Sequence, residues 1–248
     1  KAKAAAAEPE KEEILNTAPS TIKRLSPNMI ALDYCDVTVD GDTEAGLYFY
    51  KAGNKIWQAH GYDENPWVSS VQWKTELVDA DTFKAGSGFQ ARYPFEVQAG
   101  VDLRSLRAVV EQPNLWKVEI NGTTVSPLPD EWAIDKTFGV FDIGAYVKKG
   151  RNEIAVVMHP MSIYAEIEPV FIMGDFDLES QKHGWALAQQ SSLDLGSWKN
   201  QGLAFYPYDV SYEKTVNVEE NRRVVVRLNT WAGTGPEVVG HGPKAGIS

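Results

Sequence analysis

Trp116–Met158 reads WKVEINGTTVSPLPDEWAIDKTFGVFDIGAYVKKGRNEIAVVM. Val118 and Ile120 alternate with Lys117 and Glu119, the pattern of a strand with one buried face. Asn121-Gly122 follows, a pair that readily takes the φ > 0 conformations of a type I′ turn. Thr123, Thr124 and Val125 then start a return strand. Further on, Phe141, Ile143 and Val147 lead into the polar turn Lys149-Gly150-Arg151-Asn152. After it Ile154, Val156 and Val157 form a β-branched apolar run. A tight hairpin, a loop carrying Trp132 and Asp135, and a strand launched from KGRN point to an all-β fold, an antiparallel jelly-roll sandwich.

Outward from this stretch, Phe89–Val97 (FQARYPFEV) alternates as a strand, and Pro94 within it implies an edge strand or a bulge. Met29–Val39 reads as one strand ended by the turn Asp40-Gly41-Asp42. Val170–Met173 is the expected closing strand. Ile14–Arg24 is a short helix or an extended lead-in. Leu47–Trp73 carries Tyr48, Phe49, Tyr50, Trp57, Tyr62, Trp67 and Trp73, and His60–Pro66 within it is expected to be an irregular, aromatic-rich loop. Binding residues on a rigid sandwich concentrate in such loops.

A weak internal repeat starts near Gly174. Tyr212–Val216 echoes Tyr93–Val97, and Pro236–Gly242 echoes Trp116–Gly122. Tyr93 to Gly122 is 29 positions and Tyr212 to Gly242 is 30. The expected organisation is therefore a low-complexity lead-in over 1–24, a sandwich over 25–175, and over 176–248 part of a second sandwich or an extension packed on the first. Lys1–Glu13 lacks the apolar core of a signal peptide and fits a linker from a longer polypeptide or an expression scar.

Several segments resemble the galactose-binding-like jelly rolls that accompany catalytic barrels in large glycoside hydrolases, those of the family 2 β-galactosidase and β-glucuronidase group and of the family 106 α-L-rhamnosidases. The matching residues are Val118–Gly122, Trp132 with Asp135, Phe141–Ile143, Lys149–Ile154, Glu168-Pro169, Gly174–Phe176 and Gln201–Tyr206. The likeness covers residues 90 to 215 well. It implies a non-catalytic, carbohydrate-binding or barrel-supporting module, with a poly- or oligosaccharide and the catalytic domain of the same polypeptide as partners. It also implies an extracellular or periplasmic location.

Composition fits a module of this kind. There are 34 acidic against 24 basic residues, a net charge of −10, which argues against a nucleic-acid partner. No apolar run approaches the ~18 residues of a membrane span. The single cysteine, Cys35, excludes an internal disulfide and a multi-cysteine metal site. The chain has eight Trp and ten Tyr, rings that offer apolar faces to sugar C–H groups with a polar edge.

Residue chemistry then selects candidates. Trp57, Tyr62 and Trp67, flanked by His60, Asp63, Glu64 and Asn65, have the rings and hydroxyl-binding groups a pyranose needs. Trp132 and Asp135 form a second candidate pair, with a structural corner contact as the competing role. Asp40, Asp42 and Glu44 place carboxylates at alternate positions around a glycine, which makes them candidates for a structural calcium. Glu111, Asp130, Glu131 and Asp135 are carboxylates in no catalytic motif, and no alternating strand–helix pattern for a barrel exists. His60, His159, His183 and His241 have no zinc spacing. Two other roles stay open: a purely structural sandwich, and a glycoside hydrolase with a carboxylate pair in the aromatic loop.

Overall fold

The computed structural model describes residues 18, 19, 21–68, 75, 77–217, 235, 237 and 239. The chain divides into two compact units, Ile22–Ser211 and the pairing of Lys1–Thr21 with Tyr212–Ser248. The sandwich lies in the first. Most of the repeat expected over 212–248 lies outside the described residues.

In chain order the strands are β1 (Thr21–Arg24), β2 (Asn28–Leu32), β3 (Tyr34–Val39), β4 (Asp42–Tyr48), β5 (Phe89–Val97), β6 (Arg107–Glu111) and β7 (Lys117–Ile120). They continue with β8 (Thr123–Val125), β9 (Phe138–Asp142), β10 (Gly150–Met158), β11 (Val170–Gly174), β12 (Phe176–Ser180), β13 (Trp185–Gln189) and β14 (Val210–Glu213). An α-helix, α1 (Phe49–Ala59), follows β4.

An eight-stranded sheet runs β12-β13-β5-β10-β7-β8, with β3 also on β5 and β4 on β3; a four-stranded sheet runs β2-β11-β6-β9. From β5 to β11 the chain passes repeatedly between the sheets, which is the winding of a jelly roll. Their inner faces meet in one core that includes Val37, Phe89, Tyr93, Val110, Ile120, Phe141, Ile154 and Ile172. The protein is an all-β sandwich whose strands pair antiparallel except β13 with β5.

The Asn121-Gly122 turn has φ of 49° and 82°, as a type I′ hairpin requires. Asn121 does more than turn the chain. Its Oδ1 accepts from Glu153 N–H, and its Nδ2 donates to Asn152 Oδ1 at 2.9 Å. Asn152, buried, also donates to the Lys148 and Gly150 carbonyls and accepts from Lys148 N–H. The two turns are thus tied by an amide pair.

Three elements differ from the sequence reading. Met29–Val39 is two strands in different sheets, broken at Asp33. The positions that join the core change parity there, from Ile30 to Cys35, Val37 and Val39, so one straight strand would turn one set away from it. The start of the aromatic segment is a helix: Phe49, Ala52, Ile56 and Trp57 put an apolar stripe at helical spacing on the core. Finally, β5 is no edge strand. It pairs with β10 along its whole length, with β3 from Phe89 to Arg92, and with β13, in parallel, at Glu96 and Val97. Pro94 falls in the gap between β3 and β13, where its missing N–H removes no ladder bond on that edge.

Strands β12 and β13, in the stretch assigned to the second sandwich or extension, therefore belong to the first unit's large sheet. A buried ion pair between Arg24 and Asp177 fastens them. Arg24 also donates to the Phe176 carbonyl, and Asp177 accepts from Ser191 N–H and Oγ–H. Leu193, Leu203 and Tyr206 make a satellite core with Ile22, Trp198 and Val210.

Candidate functional site

The aromatic segment folds back on the sandwich. Trp57 is 1% exposed, its ring 5.1 Å from Tyr62 and 6.3 Å from Phe83. Its face is not offered to solvent, because the helix stripe carries it into the core. His60 is held at both ring nitrogens: Nδ1 lies 2.7 Å from the Ile56 carbonyl and Nε2 accepts from Gly88 N–H at 3.1 Å. These partners place the proton on Nδ1. Asn65 accepts from Trp67 N–H through its side chain, and the Asp63 carbonyl accepts from Gln58. Trp67 is half-buried; its Nε1–H donates to the Ile163 carbonyl at 2.6 Å and its ring stacks on exposed Tyr164.

The two remaining groups of candidates lie elsewhere. Trp132 is 54% exposed beside exposed Ile134, whose φ is +66°. The Asp135 carboxylate accepts from Thr137 N–H and Oγ–H, and these bonds hold it below the usual carboxylate range. Asp42 and Glu44 both pair with Lys55, at 3.5 and 2.9 Å. That ammonium supplies the positive charge a cation would otherwise bring. Among the described residues, no group of three or more His, Cys, Asp or Glu is arranged to hold a metal ion.

What the aromatic segment builds is the back of a groove. Phe83 packs on Trp57, His60 and Tyr62 and lines a cavity of about 640 Å³. Asn114, Leu115 and Lys117 form one wall; Val157 to Ser162 form the other. Asp81 fixes the second wall by accepting from Ile163 N–H and Ser162 Oγ–H. Ser87 adds a bond to Met161 N–H and its carbonyl meets His159 Nδ1. Among the described residues, Asp81 is the one carboxylate on this lining. Phe83, Asn114 and His159 were not selected from the sequence as binding residues. The signal for Phe83 was an aromatic beside Gly86 and Gly88, close to the aromatic segment only in space.

A separate carboxylate group is formed by Glu111 at the end of β6 with Glu166 and Glu168 of the β10–β11 connection. Burial raises Glu111 and Glu168 above the ordinary range, and the neighbouring carboxylates add to it. No helix among the described residues is long and apolar enough to cross a membrane.

No protein-family model and no curated protein matches the chain. Among solved structures it is similar to a β-D-glucuronidase from Dictyoglomus thermophilum, at 11% identity over 64% of this chain, TM-score 0.37. A β-D-mannosidase from the same organism is similar at 12% identity over 61%, TM-score 0.34, and an α-L-rhamnosidase at 17% over 41%, TM-score 0.23. The chain spans 31, 23 and 13% of the length of those structures. The all-β sandwich is established by strand pairing, independently of these likenesses.

Proposed function

We propose that the chain is a non-catalytic, carbohydrate-binding module of a multidomain glycoside hydrolase. The observation that supports it is the groove beside Phe83. It is large enough for a sugar residue, has one aromatic ring over a braced apolar back, and has amide, imidazole, ammonium and hydroxyl groups at its rim. Few polar groups around an apolar lining are what orient a small polyhydroxylated ligand. The aromatic segment of the sequence reading contributes as a supporting layer, with Phe83 as the ring in the lining.

A second reading is favoured by the burial of Trp57 and the tied indole of Trp67: a structural sandwich that supports a catalytic barrel. A glycan array and affinity gels on the whole chain, beside Phe83→Ala and Asn114→Ala, separate the two. Binding by the wild type, weakened ~10-fold or more in Phe83→Ala, supports the module; loss of a well-placed aromatic and its apolar area is worth that much. A folded chain that retains no glycan leaves the structural reading.

A further inference from the structure

Beyond the groove lies a second cavity of about 360 Å³, on the solvent face of the large sheet, which shares Lys117, Val157 and His159 with the first. Resting on the carbohydrate-binding reading, we propose that the ligand is an uncharged oligosaccharide chain. It continues from the Phe83 groove across the strands of this face, bound there by Thr38, Gln90 and Lys117 beside Val157.

Strand register builds this surface. Thr38 is opposite Gln90, Gln90 opposite Val157, and Val157 opposite Lys117, one row across four strands. Its neighbour row is Asp36, Arg92, Ala155 and Glu119. Three inter-strand spacings at ~4.8 Å give a track of about 14 Å, longer than one sugar ring. Ala155 and Val157 point away from the core yet are only 3% and 7% exposed. The long polar chains on either side shield them, and Val157 lines the cavity between those chains.

Those chains are held in place by one another. Arg92 donates to Gln90 Oε1 at 2.7 Å and to Thr38 Oγ1 at 3.1 Å. Gln90 Nε2 reaches Glu119 Oε2 at 3.5 Å, and Lys117 Nζ lies 2.7 Å from Glu119 Oε1. Glu119, with a side chain 15% exposed, uses both oxygens in this network and acts as a positioning residue. Gln90 retains a second amide hydrogen and Lys117 two ammonium hydrogens for a ligand.

The chemistry selects among ligands. Lys117 is paired with Glu119, and Arg92 lies opposite Asp36 on the neighbouring strand, so the face lacks the cationic surplus a phosphate backbone needs. An extended peptide would seek the N–H and C=O groups of a strand edge, which a sheet face does not present. Donors and acceptors alternating beside apolar Val157 suit neutral hydroxyls attached to C–H faces.

Calorimetric titration of the whole chain with neutral gluco-, manno- and galacto-oligosaccharides, from disaccharide to hexasaccharide, tests this. Affinity should rise ~10-fold or more with chain length. Gln90→Ala and Glu119→Gln should each weaken binding of the long ligands about 3- to 10-fold, the worth of one hydrogen bond, and leave the disaccharide unaffected. Unchanged thermal unfolding is expected, because both residues lie outside the core. Length-independent binding lost only in Phe83→Ala overturns the extension and keeps the binding module. No binding to any glycan sinks the module reading and this one with it.

Discussion

At Gly88 a single methyl group is too much. Its φ is +129°, and a Cβ there would meet the Met158 carbonyl oxygen and the His159 ring, while its N–H serves His60. Gly88→Ala should lower stability by about 1–3 kcal/mol from backbone strain alone, read by urea unfolding; wild-type stability would contradict this placement. Trp57, chosen from the sequence for its ring, is a core residue. Trp57→Ala is therefore expected to cost about 3–5 kcal/mol of stability. Selective loss of glycan binding in a fully stable variant would show the burial to be misjudged. Glu111 and Glu168 titrate above their unfolded values, so the folded state holds their protons longer. Their ionisation costs stability as pH rises through that window, and the cost disappears as pH falls below it. Glu168→Gln should accordingly raise the melting temperature at pH 7, and the gain should vanish in acid. Cys35 behaves alike: burial pushes its thiol up to about 12, so it is expected to resist alkylation until the chain unfolds.

At the scale of elements, the hairpin, β5, β10 and β11 were legible because alternation, Asn-Gly and β-branched runs are local signals. The amide pair was not, since nothing in Asn121 or Asn152 alone shows that they meet. Asn152→Ala should destabilise by at least about 2 kcal/mol, each buried group left unpaired costing roughly 1–3. In a double-mutant cycle with Asn121→Ala the losses should fall short of additive; additive losses would mean the turns are independent. Helix α1 was hard to read from the sequence because its start has no side-chain cap. Its periodic stripe, Phe49, Ala52, Ile56 and Trp57, was present all the same. The groove was illegible for a stronger reason: Phe83, Asn114 and His159 come from three separated segments, and only the sandwich's crossings bring them to one lining.

For the molecule as a whole, the boundary that matters is near Ser211, where the first compact unit ends. The sequence repeat suggested a restart near Gly174, because Tyr212–Val216 echoes Tyr93–Val97 and Pro236–Gly242 echoes Trp116–Gly122, yet β12 and β13 join the first unit's large sheet. The partner strand β5 lies far back in the chain and leaves no local trace. Arg24 and Asp177 make the joint testable. With side chains 5% and 10% exposed, Arg24→Ala should cost about 3–5 kcal/mol by stranding a buried carboxylate, measured as the shift in the urea midpoint. A loss under ~1 kcal/mol, typical of an exposed pair, would show that the joint is solvated.

The pairing of β5 also has an order in time. During synthesis, the half of β5 before Pro94 can gain both neighbours once β3 and β10 have emerged from the ribosome. The half after it waits for Ala186 and Leu187. Until they arrive, the backbone at Glu96 and Val97 is an open sheet margin, the sort of surface that recruits a wrong strand from a neighbouring nascent chain. Charged Glu96 on that margin, and a proline just ahead of it, are the features that discourage such a meeting.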